Sequence, residues 1–219
     1  MIRSRSVVRA LIAASSLLLL LVAGAGCKTS PTAPTSSENE TSTPASTPPL
    51  LRISADGSAS WVDLPTALRS SSFGSWSYDP SRALTTSVKI DGSVGGRVVC
   101  GRYVATIPAG AFDGVGIITM TLPDTTLMLC DLEISPSSLN GFLLPIDLAL
   151  HTTKTDAAID SLDFYWWDPA KSDWTAMGCQ KSTTLDAVLQ PELLTADPVV
   201  GVQLELNHFS RYMAGKAGW

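Results

Sequence analysis

Histidine is nearly absent from this 219-residue chain, which has only His151 and His208. That scarcity excludes a helical zinc motif of the His-Glu-x-x-His kind, and neither a Gly-x-Ser-x-Gly elbow nor a phosphate loop is present. Cysteine is almost as rare: Cys27, Cys100, Cys130 and Cys179 are all there are. Their spacings lack the close pairs a structural zinc site uses. Charge is low at 16% of residues, and 20 acids outnumber 15 bases. An acidic chain argues against a nucleic-acid partner and against electrostatic docking on anionic lipid. No motif calls for a cofactor or a metal, and an ordinary enzyme is not expected.

What the chain does have begins at its front. Arg3, Arg5 and Arg9 precede an apolar run from Ala10 to Ala25. A charged segment followed by such a run reads as a bacterial export signal, residues 1–26. It ends in Leu21-Val-Ala-Gly-Ala-Gly-Cys27, which resembles the lipobox of bacterial lipoproteins, although Gly24 stands where that family prefers a leucine-like residue. The resemblance implies lipidation of Cys27, membrane attachment through acyl chains alone, and a place in the bacterial cell envelope. Ala23-Gly24-Ala25 offers an alternative cleavage site that would release a secreted protein. A retained anchor is the third option, at the lower edge of spanning length.

Residues 27–50 are rich in Ser, Thr and Pro with no apolar period. Such a stretch cannot bury enough surface to offset its ordering entropy, so a disordered tether is expected. Residues 51–87 carry Trp61, Leu64, Leu68, Phe73, Trp76 and Tyr78, too apolar for a free linker and too broken by Gly, Ser and Pro80 for a long helix. They read as a lead-in with one or two short strands, and Leu64–Arg69 as a turn of helix.

From residue 88 to 219, short apolar runs alternate with turn residues, which predicts an all-β antiparallel β-sandwich. Strands are expected over Arg97–Val99, Tyr103–Ile107, Gly116–Leu122, Leu127–Ile134, Ile146–His151, Ser161–Trp166, Thr175–Met177, Thr184–Leu189 and Val199–His208. In the last, Val200, Val202, Leu204 and Leu206 alternate with Gln203, Glu205 and Asn207. Strict alternation marks a half-buried strand and would carry His208 and Ser210 onto its buried face.

Landmarks of this region run in a familiar order: Gly95-Gly96, Tyr103-Val-Ala-Thr-Ile-Pro-Ala-Gly-Ala-Phe112, Leu144-Pro-Ile-Asp-Leu148, Tyr165-Trp166, Trp174 and His208-Phe-Ser-Arg-Tyr212. Together they resemble a ZU-five domain, the unit shared by tight-junction, netrin-receptor and ankyrin-type proteins. The resemblance spans roughly residues 92–213 and implies a β-sandwich. In some relatives His-Phe-Ser is a self-cleavage site, which gives His208, Phe209 and Ser210 a possible role. Ser210 would attack the Phe209 carbonyl with His208 as base, and water would break the resulting ester. That route needs a strained bond before Ser210.

Three further readings follow from the residues. Beyond Cys27 the cysteines number three, so at most one bridge forms; Cys100–Cys130 is the favoured pair, with free buried thiols as the alternative. His151, Asp156, Asp160 and Asp163 fall near one strand end without a calcium-loop pattern. In Phe164-Tyr-Trp-Trp167 one alternate pair must face away from the core, so Tyr165 and Trp167 become a candidate face for a glycan or protein partner. The expected function is a non-enzymatic cell-surface lipoprotein with a binding or spacer module. A self-processing domain cut at Phe209–Ser210 and a glycan-binding module are the alternatives.

Overall fold

The computed structural model describes residues 47–65, 68, 81–182 and 200–219. The signal sequence, Cys27, the tether up to residue 46, the strand expected over Thr184–Leu189, most of the Leu64–Arg69 turn, and Phe73, Trp76 and Tyr78 lie outside the described residues.

The described chain forms β1 (Leu50–Ile53), β2 (Ala59–Val62), β3 (Leu84–Asp91), β4 (Gly96–Cys100), β5 (Tyr103–Ile107), β6 (Val115–Leu122), β7 (Leu129–Ser135) and β8 (Ile146–His151). It continues through β9 (Leu162–Asp168), β10 (Asp173–Ala176), β11 (Gln180–Ser182), β12 (Gly201–Leu206) and β13 (Arg211–Lys216). One sheet runs β10-β9-β13-β7-β6-β3, with the β1–β2 hairpin joined to β13; the other runs β11-β12-β8-β5-β4. All pairings are antiparallel. The two sheets pack together as an all-β sandwich. Among the described residues no helix is long and apolar enough to cross a membrane.

Alternation makes the strands. In β6, Gly116, Ile118, Met120 and Leu122 are buried while Val115 and Ile117 are exposed. On the outer side, hydroxyl pairs Thr85–Thr121 and Ser87–Thr119 meet at 3.2 and 2.8 Å, a cross-strand contact typical of β-pairs. Between β4 and β5 the two-residue loop Gly101-Arg102 needs a positive φ at its first position, and Gly101 supplies +56°. The main core lies between the sheets and includes Val98, Tyr103, Ile118, Leu132, Leu148, Phe164, Val202, Phe209 and Tyr212.

A second apolar layer sits on the opposite side of the larger sheet. Leu50, Leu64 and Leu68 pack there with Leu129, Tyr165, Trp167, Trp174 and Met213. Two boundaries move. Leu50, placed at the end of the tether, is fully buried in β1. The lead-in does hold two short strands, β1 and β2, and they pack onto the domain as part of the larger sheet. β3 begins at Leu84, so the sandwich starts earlier than residue 88.

The last long strand is also two strands. β12 pairs with β8 in the smaller sheet, whereas β13 pairs with β7 and β9 in the larger one. Residues 207–210 carry the chain between them. His208 is therefore only half-buried, not on the buried face of a continuous strand, because the face that alternation defines ends where the chain changes sheets.

The antiparallel registers sort the connections to two ends. The chain enters at one end, where Pro49 accepts a hydrogen bond from Lys216 N–H at 3.0 Å, beside the close of β13. At the other end lie the loops after β3, β5, β7, β9 and β12.

Candidate functional site

At the end opposite the chain entry, a cleft of about 400 Å³ opens between β7 and β9. Leu132, Ile134, Trp166 and Phe209 form its apolar walls, and Glu133, Asn140, His208 and Ser210 add polar groups. It exists because β13 begins only at Arg211, whereas its neighbours β7 and β9 run further, to Ser135 and Asp168.

The crossing segment is held by side chains from elsewhere in the sequence. Asn140 Nδ2 donates to Phe209 C=O at 3.0 Å, and Phe209 N–H donates to Asn140 Oδ1 at 2.6 Å. Tyr212 Oη donates to His208 C=O at 2.7 Å. Phe209 itself is buried against Phe142, their rings edge to face at 4.7 Å. Burial holds the Tyr212 hydroxyl far above the ordinary phenol range. It remains a neutral donor at every working pH.

Replacing Asn140 by alanine strips the side-chain partners from both the N–H and the C=O of Phe209. The expected cost is about 1–3 kcal/mol, with faster amide exchange at Phe209 than at Leu132, read by hydrogen-exchange NMR.

The structure brings His208 and Ser210 to the same cleft but does not couple them. The His208 ring stands edge to face with Trp166 at 5.2 Å, and neither its ring nitrogens nor Ser210 Oγ has a hydrogen bond among the described residues. Residues 208–210 also show no positive φ.

Tyr165 and Trp167 are not a ligand face. They are 3% and 9% exposed, because Leu50, Leu64 and Leu68 cover that side of the sheet. Tyr165 Oη donates to Lys216 C=O at 2.7 Å, and Trp167 stacks edge to face on Trp174 at 5.6 Å. Trp166, on the other face, reaches the cleft instead.

The bridge expected between Cys100 and Cys130 is absent, and Cys100, Cys130 and Cys179 are free thiols. Cys100 and Cys130 enter the core from different sheets, on β4 and β7, and Cys100 Sγ donates to Leu84 C=O at 3.7 Å. Burial raises all three thiol pKa values, that of Cys130 most, so each is a poor nucleophile at neutral pH.

The four residues considered for calcium serve separate local purposes. Asp156 accepts from Ala59 N–H, Asp163 caps Phe164 N–H, and Asp160 offers its carbonyl to Lys181. No metal-ligating group forms among the described residues. His151 is 4% exposed with both ring nitrogens unpartnered. Burial, then the nearby Arg97 and Arg102, lower its pKa to about 4.

Asn140 and Glu133 were not singled out by sequence, and Trp166 stood there as a landmark of the resemblance rather than as a site residue. Asn140 meets Phe209 across 69 positions, and nothing local to a Ser-Leu-Asn-Gly turn announces such a partner. No protein-family model matches the chain, and no curated protein and no solved structure matches it.

Proposed function

We propose that the chain is a non-enzymatic lipoprotein of the bacterial envelope, anchored through Cys27, whose ZU-five-like sandwich is a binding module held off the membrane by residues 28–46. The observation that carries this reading is the separation of ends. The chain enters beside Pro49 and Lys216, and the cleft and its loops open at the far end. A module tethered at its entry end leaves the cleft at the opposite end unobstructed by the attachment, where a partner can reach it. The Ser/Thr/Pro composition of the tether supports the same role, since a flexible chain of that length spans tens of ångströms.

The test is fractionation of cells expressing the exported protein. Wild type should sediment with membranes, and Cys27→Ser should shift to the soluble fraction. Labelled fatty acid should enter the wild type and not Cys27→Ser, and a wild type that takes up no label would refute the anchor.

Self-cleavage at Phe209–Ser210 is the second reading, and one contact favours it. Asn140 Nδ2 lies on the carbonyl oxygen that would become the oxyanion, where a preorganised donor lowers the barrier to acyl transfer. The missing His208–Ser210 hydrogen bond and the ordinary backbone there argue for an intact chain.

A further inference from the structure

Among the described residues, the cleft has the shape of an unoccupied strand position. Leu132 N–H donates to Ser210 C=O at 2.9 Å, and this is the last rung that the β13 side makes with β7. In an antiparallel ladder the polar groups of alternate residues point to the same neighbour. The N–H and C=O of Ile134, two residues beyond Leu132, therefore point to the side where β13 would continue. There the chain has already left the sheet. Asn140 holds Phe209, Tyr212 holds the His208 carbonyl, and Phe142 N–H donates to Asn207 C=O at 3.0 Å. These bonds keep residues 207–210 on their crossing path and out of the gap.

The geometry points to this gap as a docking slot for an extended segment of another polypeptide, added to the upper edge of β7. Peptide recognition by strand addition takes affinity from main-chain hydrogen bonds and specificity from alternate side chains. Here the incoming backbone meets Ile134. An inward side chain packs on Leu132, Trp166 and Phe209, and an outward basic one meets the exposed carboxylate of Glu133. A basic partner also suits a chain of net charge −5. A sugar fits less well: its usual platform is an open aromatic face, and the Trp166 ring is engaged by His208. The slot deepens the binding-module reading and rests on it, whereas the lipid anchor stands or falls separately by fractionation and labelling.

The experiment selects a phage library of random hexapeptides against the purified full chain. Each winner is then made as a synthetic peptide, together with two twins, one N-methylated at its odd and one at its even backbone positions. Winners should be extended sequences with a lysine or arginine next to apolar residues. In ¹⁵N spectra they should shift Ile134 and Ser135 and leave β3 and β10, the two ends of the larger sheet, unmoved. The twin that has lost the donors facing β7 should bind about ten-fold more weakly, and Glu133→Lys should weaken the basic winners by a similar factor. Equal binding by both twins, shifts confined to β3 or β10, or no winner at all would overturn the slot. Binding of a glycan array at the cleft in place of any peptide would overturn it too.

Discussion

Replacing Asp131 by alanine should lower the stability of the sandwich by about 3–5 kcal/mol, the cost of removing one member of a buried ion pair. Asp131 and Arg211 are directly opposite on β7 and β13, and they are 3% and 2% exposed. The guanidinium grips the carboxylate with both arms, Nε at 2.8 Å and Nη2 at 3.2 Å. Its Nη1 reaches Leu68 C=O at 3.5 Å, so the pair also pins the apolar lead-in over the sheet. With the carboxylate gone, the arginine keeps its charge in a place water does not reach. Urea unfolding of wild type, Asp131→Ala and the double replacement Asp131→Leu/Arg211→Met measures this. The double variant should recover most of the loss, because a buried pair is often no more stabilising than well-packed apolar groups of the same volume. A single variant within 1 kcal/mol of wild type would show that the pair is solvated.

The second large effect depends on pH. His151 titrates near 6.5 in an unfolded chain but at about 4 in the fold, since burial disfavours its cation and Arg97 and Arg102 repel it. Above pH 6.5 both states are neutral and the residue contributes nothing to the pH dependence. Between 6.5 and 4 the unfolded chain takes up a proton that the folded one refuses, so stability falls as pH is lowered. The loss levels off below about pH 4, at about 3 kcal/mol. Asp168, Asp91 and Asp56 have pKa values lowered from 3.8, and their own contributions disappear only at still lower pH. The histidine step therefore stands apart. Urea midpoints at pH 7.5 and 4.5 should differ in wild type and converge in His151→Leu; equal slopes in both would contradict the assignment.

Much of the fold was legible where local chemistry and tertiary structure agree. Tyr103–Ile107 and Ile146–His151 are strands with the bounds expected, because each is a run of apolar and β-branched residues closed by a turn or a proline. β13 was not legible. Arg-Tyr-Met-Ala-Gly-Lys is buried on both faces through Gly215, so it shows no alternation, and its arginine looks like a surface residue until Asp131 is seen beside it. β3 failed for the opposite reason. It lies at an end of the larger sheet, and its Thr85, Thr86, Ser87 and Lys89 resemble a linker.

The candidate site was half legible. His208, Phe209 and Ser210 line the cleft, but the reading of their surroundings assumed a single unbroken strand. The sheet change at residues 207–210, the clamp from Asn140 and the gap above β13 are properties of distant segments meeting. Tyr165 and Trp167 failed in the same way: the period of two divided the aromatics correctly between two faces, and only the packing of Leu50, Leu64 and Leu68 shows that both are covered.

The most direct test of the account is the intact mass of the protein recovered from cells after export. A chain that begins at Cys27, carries acyl groups there and still ends at Trp219 is the predicted result. It would establish an anchored, uncut module. A chain beginning at Gly26 with no lipid, or one lacking Ser210–Trp219 unless Ser210 is replaced by alanine, would contradict it.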